Sequence, residues 1–343
     1  MTMDPAPAPG TRVAVRTRED RRAGRAGWRM SRTAWRRLLT VAFSLAVVTG
    51  VVLALRDQDW SALAGLFHGG SAVALLGAAV VSAAGLLCGT RSWLLTLSAV
   101  ALPVPGAAGV RMFFVGFLGK FVPGRVWGLI AQMRMGEQVG ATKSQMAGTY
   151  LVNLVIVLLT GGAVGLLVAP TLLADGAGWL LLPLALLLVL VARPDLIHVL
   201  AGLAARLARR QPPPSPGRPG NLRLAIVLQT LAWVLSGVHL WVIAVLLGAD
   251  PAAAFPVAVG GFALAVVVGS VAVFAPDGVG VRELLLVPAL ATVLPLPAAV
   301  AAALASRVLT LVAELATSGA ALGAVALRDR SAPATPLRKE STV

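Results

Sequence analysis

Charge is what this sequence has least of. Asp, Glu, Lys and Arg make up 13% of 343 residues, about half the share usual in a soluble domain. Hydrophobic residues reach 58%. A chain with so few charges cannot cover a water-facing surface of that size, so lipid is the solvent for most of it. Cysteine is nearly absent: Cys88 stands alone inside an apolar run. That excludes a disulfide framework and a multi-cysteine metal site within one chain, and leaves Cys88 as a small apolar filler. The three histidines, His68, His198 and His239, are scattered. No P-loop, HExxH or cysteine–histidine cluster accompanies them, so ATP-driven pumping and zinc catalysis find no support, and neither a metal nor a cofactor is expected. Aromatic residues are only 5% and rarely lie among the basic ones, so the surplus of positive charge does not point to nucleic acid.

What is present is long apolar stretches. Crossing the hydrocarbon takes about twenty apolar residues in a helix. Residues 38–55, 71–100, 146–169, 178–192, 225–247 and 298–327 qualify, the fourth only with help from Trp179 and Arg193 at its ends. The basic stretch before 38–55 is too long for a signal peptide, so that run is expected to be a retained first span. Two further stretches, 109–135 and 252–294, are apolar but broken by Pro, Gly and charge, as re-entrant or broken helices are. The expected fold is therefore all-α: a polytopic membrane bundle of about six spans and two Pro-Gly hairpins.

The net charge of +15 comes from 29 Lys and Arg against 14 Asp and Glu, and ten arginines fall between Arg12 and Arg37. Residues 1–37 thus read as a basic cytoplasmic tail, 38–327 as the membrane domain and 328–343 as a disordered cytoplasmic tail. Between the halves 71–192 and 221–327 lies a segment, 194–220, of different character. Leu196, Val199, Leu200, Leu203 and Leu207 recur at helical spacing, predicting an amphipathic surface helix. Five prolines between Pro212 and Pro219 then predict a stiff linker. The loops near Asp57, Asp59, Asp175 and Asp250 carry little positive charge and belong outside. Each half reads as span, broken hairpin, span. The orientation makes the first hairpin approach from the cytoplasm and the second from outside, which is an inverted repeat.

Three places could carry chemistry. In the first hairpin, Pro123 and Gly124 break the helix between Lys120 and Arg125, so freed amides and two cations suit a phosphate. An ordinary cytoplasmic turn anchored by Trp127 explains the same residues. In the second, Pro276, Asp277, Gly278, Gly280, Arg282 and Glu283 crowd charge into an apolar region, as residues lining a polar cavity do. The third is Arg307 and Glu314 in the last span. They project from one face two turns apart, too far to pair, so each needs a partner elsewhere. Glu283 is the expected partner of Arg307. Arg91 either snorkels to the surface or enters the cavity. His239, with no acidic neighbour in sequence, reads as a satisfied core histidine.

The segment from Lys120 to Trp127 and the segment from Pro276 to Glu283, in that order, resemble the lysylphosphatidylglycerol synthase transmembrane-region family of flippase-like membrane proteins. Arg307 and Glu314 resemble the Arg and acidic residue of a later helix in that family. Two positions depart from its pattern: Asp277 stands where a glycine is usual, and Asn153 where a glutamate is expected. The resemblance implies a flippase-like protein of the plasma membrane, both termini cytoplasmic, that binds or translocates a charged lipid. An aminoacyl-phospholipid or a polyprenyl-linked intermediate would be its cargo. Lys120, Arg125 and Arg282 would contact phosphate, and Asp277 or Glu283 an amine or a proton. No aminoacyl-transferase domain follows the last span, so lysine transfer and enzyme activity are not expected. A non-transporting anchor for a glycosyltransferase or lipid synthase is the alternative. Membrane lipids, such a synthase and further copies of the chain are the partners implied.

Overall fold

In a computed structural model, the residues described are 69–121, 126–168, 181–207, 209, 211–213, 219–271, 278 and 280–331. They lie within one compact unit, Gln58–Val343. The expected tail 1–37, the first span 38–55, His68 and residues 332–343 are outside them. So are the polar loop residues Asp57, Asp59 and Asp175, and residues 214–218 of the linker. Every described element is helical. In chain order they are α1 (Gly69–Val100), α2 (Gly106–Leu118), a 3-10 turn Gly119–Phe121, α3 (Val126–Gln138), α4 (Lys143–Gly165), a second 3-10 turn Leu166–Val168 that continues its end, α5 (Leu181–Ala192), α6 (Asp195–Leu207), α7 (Pro219–Leu246), α8 (Pro251–Val271), α9 (Val281–Leu290) and α10 (Leu296–Ser331).

The core is apolar, but so is much of the outer surface, unlike that of a water-soluble bundle. Val73, Leu76, Val80 and Leu87 are more than half exposed along one stripe of α1, as are Leu181, Leu184 and Leu188 of α5. Ser92, Thr96, Thr160, Gln229, His239, Arg282, Ser306 and Thr310 are buried. In water that distribution would invite aggregation; against lipid it puts polar groups where they find partners. Several buried threonines find them one turn back in their own helix: Thr96 donates to the Ser92 carbonyl, Thr160 to Ile156 and Thr310 to Ser306, at 2.6–3.0 Å. His239 is satisfied as expected. It bonds the Ser236 carbonyl through Nδ1 and Ser306 Oγ through Nε2 at 2.7 Å.

Five helices are long and apolar enough to cross a membrane: Gly70–Val100, Lys143–Val168, Gly220–Leu246, Pro251–Ser270 and Leu296–Arg330. Four were expected. The fifth corrects the second hairpin, whose first limb is a full-length helix and not half of a broken one. Pro256 lies inside α8 near its start, where one missing N–H costs the ladder little. The second limb, α9, has only 10 residues. The first hairpin matches expectation better, with two limbs of 13 residues each, about 20 Å at helical rise and short of the hydrocarbon thickness. The expected span 178–192 appears as the 12-residue α5, which turns by 91° into α6. Helix α6 buries Ile197, Ala201 and Ala205, while Leu196, Val199, Leu200, Leu203 and Leu207 are exposed. The apolar stripe seen in sequence is therefore not the packing stripe; small residues pack and the leucines are left for lipid.

Helices α1 and α7 open their halves and pack side by side, with Ser98 bonded by Asn221, Ser92 donating to the Ala225 carbonyl, and Gly85 against Ala232 and Ser236. Numbers rise along one helix as they fall along the other, so equivalent helices run antiparallel. The remaining pairs obey the same exchange: α10 packs on α1 and α2, while α4 packs on α7 and α8. Gly85 sets the α1–α7 spacing, since a Cβ there would lie 2.6 Å from Ser236 Oγ and 3.0 Å from the Ala232 carbonyl oxygen. Gly85→Leu is expected to lower stability in detergent by about 1–3 kcal/mol, the usual cost of overpacking. Gly77→Leu, where a Cβ meets nothing within 4 Å, should melt like the parent. Equal melting of both variants would show that the close approach is not needed.

Candidate functional site

The first hairpin is held shut by glycine. A Cβ on Gly119 would lie 2.6 Å from the Gly128 backbone nitrogen, and one on Gly128 would lie 2.3 Å from the Gly116 carbonyl oxygen. Backbone thus touches backbone across the two limbs. At the tip, Lys120 leaves the end of α2 with its ammonium 4.4 Å from the Phe117 ring centre and 4.9 Å from that of Phe121. It forms a 2.6 Å ion pair with Glu314 of α10. Pro123, Gly124 and Arg125, the other candidates at this tip, lie outside the described residues. Trp127 is 45% exposed, as an interfacial anchor would be.

The second tip is built around positive φ. Gly278 has φ +68° and Gly280 has φ +83°, a region open to glycine at little cost. The Arg282 side chain crosses this turn: a Cβ on Gly278 or on Gly269 would sit 3.2 Å from its Cγ. Arg282 is 5% exposed, and its guanidinium lies over Phe262 at 5.2 Å. One residue on, Glu283 holds α9 at both ends of its carboxylate. Oε2 accepts the Gly280 N–H at 2.8 Å and Oε1 accepts from Arg307 Nη1 at 3.0 Å. The expected Glu283–Arg307 pair is thus present, and Glu314 has its own partner in Lys120. Pro276 and Asp277 lie outside the described residues.

Both tips meet the central third of α10, at Arg307 and Glu314, about 10 Å apart along its axis. They arrive from opposite directions. Helix α9 leads directly into the start of α10, whereas Arg111 of α2 pairs with Asp329 near its end. A cavity of about 320 Å³ lies where they converge, lined by residues of both halves, at the small end of the range for ligand pockets. Among the described residues, its charged lining is Lys120, Arg282 and Glu314. Arg91 is not among them and is exposed on α1. Arg307 and Glu283 are not among them either; their pair joins α9 to α10.

The polar lining that sequence reading passed over is uncharged. Gln132 of α3, Gln229 of α7, and Tyr150 and Asn153 of α4 face the cavity with Ser82, Ser236 and Thr310. A glutamine inside an apolar run was the available signal, because an amide at membrane depth costs more than the flanking leucines repay. Asn153 had drawn notice only as a departure from a familiar pattern.

The family model described as Lysylphosphatidylglycerol synthase TM region matches residues 38–317. No curated protein matches the chain.

Proposed function

The chain belongs to the lysylphosphatidylglycerol synthase TM region family, and from that premise we propose that it binds a phosphate-bearing lipid headgroup between its hairpin tips and passes it across the plasma membrane. The observation that carries this is the cavity at mid-length of α10, with Lys120 and Arg282 on its wall and one carboxylate, Glu314, beside Lys120. A headgroup needs a polar chamber at that depth, and two cations supply charge-assisted bonds to phosphate. Acyl chains stay outside, along lipid-facing stripes such as that of α1. The Lys120–Glu314 pair neutralises much of the chamber's charge, and an arriving phosphate takes over Lys120 from Glu314. Because the hairpins come from opposite sides, opening either tip exposes the chamber to one leaflet at a time.

Orientation follows the positive residues. Arg328 and Arg330 at the end of α10 support a cytoplasmic position for that end. Through the Arg111–Asp329 pair, the outer end of the first hairpin would lie on the same side. Both termini would be cytoplasmic.

The test is transport of anionic phospholipid by purified protein in liposomes. Arg282→Ala is expected to slow it about tenfold, since a charge-assisted bond contributes roughly 1.5–3 kcal/mol and 1.4 kcal/mol is one decade. Arg125→Ala, at the other tip, should act likewise. Arg282→Lys keeps the charge without the planar fork and should restore only part of the rate. Inserted, monodisperse alanine variants that move every lipid at the parental rate would remove the headgroup site from this cavity.

A further inference from the structure

The chamber carries more recognition than a phosphate needs. Gln132 and Gln229 are 7% and 8% exposed, both line the cavity, and neither amide bonds any described residue. Oδ1 of Asn153, on a third helix, is buried without a partner. These groups come from both halves, α3 and α4 on one side and α7 on the other. Their positions are also prepared for. A Cβ on Gly116 would lie 2.2 Å from Gln132 Nε2, so the amide occupies space that only glycine leaves. Gly89 also borders Gln229, though a Cβ there would lie 3.8 Å from Oε1, an ordinary contact.

A carboxamide offers an acceptor oxygen and two N–H donors, the complement of a hydroxyl that both donates and accepts. An ammonium would satisfy only the oxygens, and a second anion only the N–H groups. Charge points the same way. Glu314 is the carboxylate among the described lining residues, and Lys120 already holds it at 2.6 Å. With Arg282 added, the described lining residues carry two cations and one anion, a poor host for a headgroup bringing an extra ammonium. Resting on the phosphate-site reading above, we infer that Gln132, Gln229 and Asn153 form a subsite for an uncharged, hydroxyl-rich group attached to that phosphate. The cargo class is a phosphodiester-linked lipid bearing vicinal hydroxyls, as the glycerol of phosphatidylglycerol or the sugar of a glycosyl polyprenyl phosphate does.

Full-length protein in liposomes separates the outcomes when lipids of matched charge are compared. Phosphatidylglycerol and a hexosyl polyprenyl phosphate carry hydroxyls; phosphatidylethanol carries the same phosphodiester without them; lysyl-phosphatidylglycerol adds cations. The hydroxyl-bearing lipids should be transported about tenfold faster than phosphatidylethanol, the scale of one lost hydrogen-bonding partner set. Whichever of the two is faster identifies glycerol or sugar as the source. In Gln132→Met and Gln229→Met, which keep side-chain length, the ratio to phosphatidylethanol should fall towards one. Equal rates for phosphatidylethanol and the hydroxyl lipids in the parent would overturn the amide subsite while leaving the phosphate site intact. Preference for the lysyl lipid, or an unchanged ratio in folded Met variants, would overturn it too. If a phosphate-free lipid such as a galactosyl diacylglycerol moves as fast as all of them, the phosphate reading itself fails. The comparison within the parent protein decides the matter even where a variant does not fold.

Discussion

Glu283→Ala is expected to lower the stability of the folded protein by about 3 kcal/mol, the largest effect of any single substitution at the tips. Its carboxylate serves two partners, the Gly280 N–H at 2.8 Å and Arg307 Nη1 at 3.0 Å. Deletion removes the N-terminal cap of a helix of only 10 residues and takes from Arg307 its carboxylate at membrane depth. Breaking a buried pair costs roughly 3–5 kcal/mol. With 24% and 18% of the two side chains exposed, the lower end applies. The cap adds a smaller amount, typically about 1 kcal/mol, and can be separated from the pair. Arg307→Ala leaves the cap in place, so it should cost less than Glu283→Ala. The double variant should then be more stable than the sum of the single losses implies, by about 1 kcal/mol or more. Unfolding in detergent of all four proteins measures this. Strictly additive losses would mean that the pair is incidental to how α9 is anchored on α10.

Much of this arrangement was legible in sequence, because charge at membrane depth is expensive and therefore conspicuous. Lys120, Arg282, Glu283, Arg307 and Glu314 stand out from their apolar neighbours, and the structure brings all five to the middle of α10. The number seven between Arg307 and Glu314 already required two separate partners. Of these, Glu283 could be inferred and Lys120 could not, since nothing in sequence brings the first hairpin against the last helix. The second hairpin breaks where Pro276, Gly278 and Gly280 predict, between α8 and α9, but the full length of α8 was not legible. It runs through Pro256, Gly260 and Gly261 because it is buried on several sides: Val257, Val259, Ala263 and Ala265 are wholly enclosed. Gly260 meets the α4 end so closely that a Cβ would lie 2.7 Å from the Val168 nitrogen. Packing overrides propensity there. Helix α6 taught the converse lesson. Periodicity located an amphipathic helix but not its protein-facing side, since lipid accepts leucine as readily as a protein core does.

Glu314→Gln and Lys120→Ala are expected to move headgroup binding in opposite directions, spanning about a hundredfold between them. The two side chains pair at 2.6 Å, each about one-fifth exposed. The carboxylate stands beside Lys120 where a phosphate would bind. Neutralising Glu314 removes that competitor and raises the positive charge of the lining, so an anionic lipid should bind about tenfold more tightly. Tighter binding need not mean faster transport. The headgroup must leave as well as arrive, and a cation with no carboxylate to return to should slow release. Lys120→Ala should instead weaken binding about tenfold, by the loss of one charge-assisted bond, and leave Glu314 to repel phosphate. The purely structural alternative makes a different pattern. If the pair only fastens α2 to α10, either substitution loosens the first hairpin, and both weaken binding together with melting temperature. Binding of phosphatidylglycerol to the two variants in nanodiscs, read beside their melting curves, separates the cases. A fall in affinity for Glu314→Gln, in step with lost stability, would reduce the ion pair to a fastener and take the exchange step out of the mechanism.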